Sequence, residues 1–185
     1  MVDDEYDDYY SSILLENNEL MRNLASSTVR LPINTDEIRG LQYLYNATNG
    51  DSWEWNDDIN TYGIPWNFSV TNLSLVHPCY DHWQGILCSC NTTYSLDGPD
   101  DVYYYDNIAS NPSTNFSCHI TKIYLPGYNL SGLLPGDMFV LLPNLTHMHM
   151  EKNSLSSPLP IEINQSSLLL LSICCNNFEE SLDTY

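Results

Sequence analysis

From Cys118 onward the chain repeats itself, and that repetition constrains the fold more than any other feature. Ile123, Leu125, Leu130 and Leu134-Pro135 form one set. Leu145, Met148, Met150, Asn153, Leu155 and Leu159-Pro160 form a second, and Leu168, Leu171, Ile173, Asn176, Phe178 and Leu182 a third. Aligning Tyr128, Asn153 and Asn176 gives periods of 25 and 23 residues. Each unit contributes a short strand whose alternate residues point inward, and a turn that the Asn side chain ties to neighbouring backbone. A unit of this size cannot bury its apolar face alone, but stacked units bury one continuous column. The expected fold class is an α/β solenoid of about three repeats.

The spacing places parallel strands near 122–126, 147–151 and 170–174. Their outward residues stack in columns: Lys122, His147 and Leu170; Tyr124, His149 and Ser172; Pro126, Glu151 and Cys174. Upstream, a helix is expected to begin at Asn34, a good N-cap with Glu37 three residues on at capping-box spacing. Ile38, Leu41, Leu44 and Tyr45 recur on one face, and Asn49-Gly50 ends the helix because Gly accepts the left-handed conformation. Trp53, Trp55 and Trp66 follow in a polar stretch and are expected to cover the end of a core. Residues 1–33 differ from the rest. Asp3 to Tyr10 is acidic and tyrosine-rich, and only Ile13 to Leu24 is apolar enough for a short helix. The two readings of this arm are a solvated tail and a segment ordered by lying on something else.

These residues resemble plant-type leucine-rich repeat proteins with an N-terminal capping domain. The spacing L-x-x-L-x-L-x-x-N-x-L is that of the repeat, and two phrases match the cap. They are Leu44-Tyr45-Asn46-Ala47-Thr48-Asn49-Gly50-Asp51-Ser52-Trp53, and Cys79 with Trp83-Gln84-Gly85-Ile86-Leu87-Cys88. The resemblance covers residues 34–182. It implies a Cys79–Cys88 disulfide and a first repeat beginning near Ile120, with the phrase Asn129-Leu130-Ser131-Gly132-Leu133-Leu134-Pro135. The chain departs from the family in three ways. Tyr128 replaces the ladder Asn, so the first turn must be held differently. Residues 89–117 insert an acidic, tyrosine-rich loop that Cys90 and Cys118 bracket and are expected to staple. The third repeat is expected to stand without a C-terminal cap. The domains are thus an arm (1–33), a cap with its insertion (34–118) and the repeats (119–185). Cys174 and Cys175 are adjacent; a vicinal bridge, a bond outside the chain and two free thiols all remain open.

Composition bears on location and partners. With 20 Asn and 31 Ser plus Thr, chance gives about three Asn-x-Ser/Thr glycosylation acceptors. There are eight: Asn46, Asn67, Asn72, Asn91, Asn115, Asn129, Asn144 and Asn164. Together with the cysteines they point to a secretory route and an extracellular or cell-surface location. Met1 is followed at once by acidic residues rather than a basic and apolar leader, so a processed or partial product is expected. The net charge of −19 opposes nucleic-acid binding and anionic membranes, and no apolar run reaches membrane-spanning length.

No catalytic motif is evident, so the chain is not expected to be an enzyme. His147-x-His149 supplies at most half of a tetrahedral metal site, and both rings are expected to face outward. The acidic runs lack the order of a calcium loop. No metal and no cofactor are expected beyond N-linked glycans. The concave-face residues Lys122, Tyr124, His147, His149, Glu151 and Ser172 are the candidate contact surface for a protein. Three repeats make a small recognition surface, and an uncapped end with an acidic arm suits stacking on copies of the chain. The sequence therefore favours a self-assembling structural subunit of an extracellular filament or coat. The alternatives are a ligand-binding receptor ectodomain fragment and a secreted enzyme inhibitor.

Overall fold

The computed structural model describes residues 32–70, 72–90, 117–156 and 158–178. The arm with Ile13–Leu24, the acceptors Asn91 and Asn115, residues 91–116 of the 89–117 insertion, and Leu182 lie outside the described residues, while Ser89 and Cys90 belong to a strand rather than to a loop.

The cap begins with helix α1, Thr35–Ala47. The Asn34 side chain accepts from the Asp36 N–H at 3.0 Å, satisfying one of the donors that a helix start leaves open. Ile38, Leu41 and Leu44 are fully buried. Two expectations at the helix ends are corrected. Glu37 does not reach back to form a capping box; its carboxylate turns into the protein and serves the sheet, as described below. At the other end Asn49, not Gly50, takes the left-handed conformation, with φ 59°, which Asn tolerates better than most residues. Gly50 is needed for space instead, because a Cβ there would run into the Tyr45 ring.

A short helix α2, Ile59–Tyr62, and a knot of aromatic rings complete the cap. Trp53 and Trp66 are buried, with ring centroids 5.0 Å apart and edge-on. Trp66 also stacks on Trp83 at 5.8 Å. Each buried indole N–H needs a partner. Trp53 donates to Thr48 O at 2.9 Å and Trp66 to Gln84 O at 2.8 Å.

The main sheet contains β1 (Ile86–Cys90), β2 (Cys118–Tyr124), β4 (His147–His149) and β6 (Leu170–Ser172), in that order. A second, two-stranded sheet pairs β3 (Ser131–Gly132) with β5 (Ser154–Leu155), and helix α3, Gly136–Leu141, lies between β3 and β4 in the chain. β2, β4 and β6 run parallel, as the repeat spacing requires. β1 is antiparallel to β2, so the sheet is mixed rather than purely parallel. The sequence did not show β1. Its register shifts between Leu87 and Cys88, which breaks the alternation that marks a half-buried strand.

Two disulfides staple the cap, and packing joins it to the repeats. Cys79 is bonded to Cys88, and Cys90 to Cys118. A disulfide typically contributes about 2–4 kcal/mol by restricting the unfolded chain. Gly40 on α1 faces α3 so closely that a Cβ would lie 2.9 Å from Leu142 Cγ. Inside the repeats Ile123, Leu125, Met148 and Met150 have no exposure and form the shared column.

The turns are tied by asparagine. Asn153 Oδ1 accepts from Leu130 N–H at 2.9 Å, while its amide donates to the carbonyls of Leu125, Met150 and Glu151. Asn176 repeats the pattern one unit later, accepting from Leu155 N–H at 2.9 Å and donating to Met150, Ile173 and Cys174. Where the first unit has Tyr128, the ring instead packs edge-on against Trp55 at 5.8 Å, and its carbonyl accepts from Glu54 N–H at 2.9 Å. Burial and then the neighbouring Tyr62 push the Tyr128 phenol up to about 12. The first turn is thus held by the cap.

Candidate functional site

The outward face of β2, β4 and β6 carries two aligned columns. Lys122 pairs with His147 and His147 with Leu170; Tyr124 pairs with His149 and His149 with Ser172. Gly127 N–H to Glu151 O at 2.9 Å and Lys152 N–H to Cys174 O at 3.1 Å carry the register past the strands. Lys122, Tyr124, His147, Leu170 and Ser172 are half-buried, which leaves polar and aromatic edges open to a partner.

His149 is the exception. It was expected to face outward, yet its side chain is only 1% exposed. The Tyr124 ring lies against it at 5.5 Å, and its Nδ1 is 3.3 Å from Glu151 Oε1. The strand period alone places His149 on this face, but the Tyr124 ring on the neighbouring strand β2 lies against it. Burial works to raise the Glu151 carboxyl, and its interactions with His149 and Ser172 outweigh that, holding it below the ordinary value. The second carboxylate oxygen is buried without a hydrogen-bond partner among the described residues. His147 sits lower than an ordinary imidazole because of partial burial, then Lys122 and His149.

A second constellation was not foreseen. Ser117 Oγ is 2.9 Å from His119 Nε2, and His119 Nδ1 is 2.7 Å from Glu37 Oε1. Serine, histidine and carboxylate in this order have the connectivity of a hydrolytic relay. Such a site also needs backbone N–H groups aimed at a developing oxyanion. Here the Cys118 N–H is given to Pro32 O at 3.0 Å and the Ile120 N–H to Glu37 Oε2 at 2.7 Å. The arrangement clamps α1 to β2. No spacing rule connects Glu37 to residues 82 and 83 positions away, so only the apolar face of α1 hinted that its first turn meets the sheet.

Gln84, between Trp83 and Gly85 in the second cap phrase, was also missed. It has no exposure and its amide joins Asn56 and Gly63 through three hydrogen bonds. A hollow between α3 and the following turn, lined by Phe139, Val140, Pro143 and Glu162, measures about 190 Å³, below the roughly 300–1,000 Å³ of small-molecule sites. Among the described residues no three His, Cys, Asp or Glu side chains converge as a metal site, and no helix is long and apolar enough to cross a membrane. The acceptors Asn46, Asn67, Asn72, Asn129, Asn144 and Asn164 are all exposed.

The fold is similar to the leucine-rich-repeat ectodomain of the receptor kinase SOBIR1 from Arabidopsis thaliana, with a TM-score of 0.50 and 15% identity over 80% of this chain and 58% of that one. The likeness is one of fold, and the fold is that of a leucine-rich-repeat protein. The BIR2 ectodomain from the same plant gives a TM-score of 0.46 at 20% identity, covering 77% of this chain and 56% of that one. A chain of the Arabidopsis thaliana BIR3–SERK2 complex gives 0.39 at 18% identity, covering 77% and 57%. The chain spans little more than half the length of each. No family model and no curated protein sequence matches it.

Proposed function

We propose that the chain is a secreted or cell-surface, non-enzymatic protein-recognition module of the receptor-ectodomain type, contacting its partner through the concave face. The observation that carries this reading is the register that lines up Lys122, His147 and Leu170 beside Tyr124, His149 and Ser172. A pre-aligned sheet face with half-buried aromatic and charged side chains suits protein contact, because little ordering entropy remains to oppose binding. The similarity to a receptor kinase's ectodomain supports the same choice. The net charge of −19 favours a basic partner, whose encounter it would accelerate at low salt. Domain boundaries at 33 and 118 accompany this reading, with the cap and a short solenoid as one unit.

Extracellular residence is supported by the two disulfides and by six exposed acceptors among the described residues. Glycan mapping by mass spectrometry after secretory expression is expected to find Asn129 and Asn144 occupied. Fewer than three occupied sites among the eight would sink the secretory reading.

The contact face is tested by a glycan wedge. Lys122→Asn with Tyr124→Thr places a new acceptor on the concave strand. In an array of extracellular proteins, the wedge is expected to abolish binding that Asn164→Gln on the other side leaves intact. Binding that survives the wedge would move the site elsewhere.

One observation favours a second reading, the self-assembling subunit. Among the described residues β6 is the edge strand of the main sheet, Leu168, Leu171, Ile173 and Phe178 are only half-buried, and Leu169 is 79% exposed. An open strand edge with apolar surface invites a neighbour. The same surface also suits further repeats, which the ectodomain reading supplies without a filament. The enzyme-inhibitor alternative would use the concave face and shares the wedge test.

A further inference from the structure

Cys174 and Cys175 are exposed and unbonded, with their sulfurs 3.5 Å apart. The repeat itself brings them together. Cys175 occupies the left-handed position before the ladder asparagine, with φ 59°, which Lys152 fills in the previous unit at φ 56° and Gly127 in the first at φ 71°. Cys174 O is fixed by the Lys152 N–H at 3.1 Å, and Asn176 is anchored to Met150 O at 2.7 Å. Neither thiol is needed for that backbone path. Its consequence is two thiols presented side by side at the rim of the concave face.

We infer that Cys174 and Cys175 are a thiol-modification site, a redox-active vicinal dithiol that exchanges with low-molecular-weight disulfides. A thiolate of the pair attacks one sulfur of the small disulfide, forming a mixed disulfide and expelling one small thiolate. The adjacent protein thiolate then attacks the mixed-disulfide sulfur on the protein, closes the Cys174–Cys175 bond and expels the second small thiolate. The two protein thiols lose two protons and two electrons, and the small disulfide takes up the electrons. The sulfurs need to move only from 3.5 Å to about 2.0 Å.

Once closed, this bond differs from the other two. Adjacent Cα atoms are about 3.8 Å apart, below the usual 4.4–6.8 Å span of a disulfide, so the ring is strained and reduces readily. Cys79 and Cys118 are buried, whereas both rim sulfurs meet solvent. Exposed and strained bonds are the labile ones. The rim of the concave face therefore alternates between two hydrogen-bonding thiols and one apolar ring, while the cap bonds stay closed.

The test equilibrates the full chain in graded mixtures of oxidised and reduced glutathione, quenches by alkylation and maps the cysteines by mass spectrometry. The expected result is a 174–175 peptide lighter by two hydrogens at the oxidised end. It should open at a reductant concentration at least about tenfold lower than either cap bond. Reduced protein should bind one equivalent of phenylarsine oxide, and Cys175→Ser should bind none while keeping the wild-type melting temperature. The inference is overturned if both thiols stay alkylatable in excess oxidised glutathione, if only mixed or interchain disulfides form, or if a cap bond opens first.

Discussion

Glu37 shows how far one buried carboxyl side chain reaches. It is 1% exposed, accepts from the Ile120 N–H and faces His119, each at 2.7 Å. Removing it strands a buried backbone donor and a histidine nitrogen, which costs about 1–3 kcal/mol or more when a charge is involved. Glu37→Ala is therefore expected to lower the denaturation midpoint by that free energy, and Asp36→Ala, at an exposed ion pair with Arg39, to change it by less than about 1 kcal/mol. Equal effects of the two substitutions, read from urea melts, would remove the clamp from the account. The sequence placed Glu37 on the right helix in the wrong role. A capping box needs only local spacing, whereas the observed contacts depend on the fold of the whole cap.

At the scale of elements, the asparagine ladder makes a graded prediction. Asn153 is 8% exposed and makes four hydrogen bonds; Asn176 also makes four but lies at the more open end. Water can replace the bonds of an accessible amide better than those of a buried one. Asn153→Ala is expected to cost about 2–3 kcal/mol, and Asn176→Ala about 1 kcal/mol less. Thermal melts showing the reverse order would contradict the ladder. This level was the most legible in the sequence, because Asn153, Asn176 and the inward Met148, Met150 and Leu125 recur at a fixed period. The α1 face of Ile38, Leu41 and Leu44 was equally plain from its helical spacing. β1 was not, because its bulge disrupts alternation and its partner strand begins beyond the insertion. His149 was misread for a related reason. Period assigns a face, but cover by Tyr124 comes from another strand.

For the whole molecule, the cap closes one end of the repeat stack, and among the described residues β6 is the edge strand at the other. The self-assembly expected from sequence rested on that end together with the arm, and the arm as far as residue 31 lies outside the described residues. The recognition account instead assigns function to the concave face and needs no copy of the chain. The large net negative charge also opposes close stacking of like subunits at low salt, although screening over about 8 Å weakens that term under physiological conditions. Sedimentation velocity on the full, glycosylated chain over a hundredfold concentration range tests the distinction most directly. The recognition account predicts a single monomeric species throughout, a 21.2 kDa polypeptide plus its glycans, and no filaments in electron micrographs of the same samples. Concentration-dependent polymers, lost when residues 1–33 are deleted, would contradict it and restore the structural subunit.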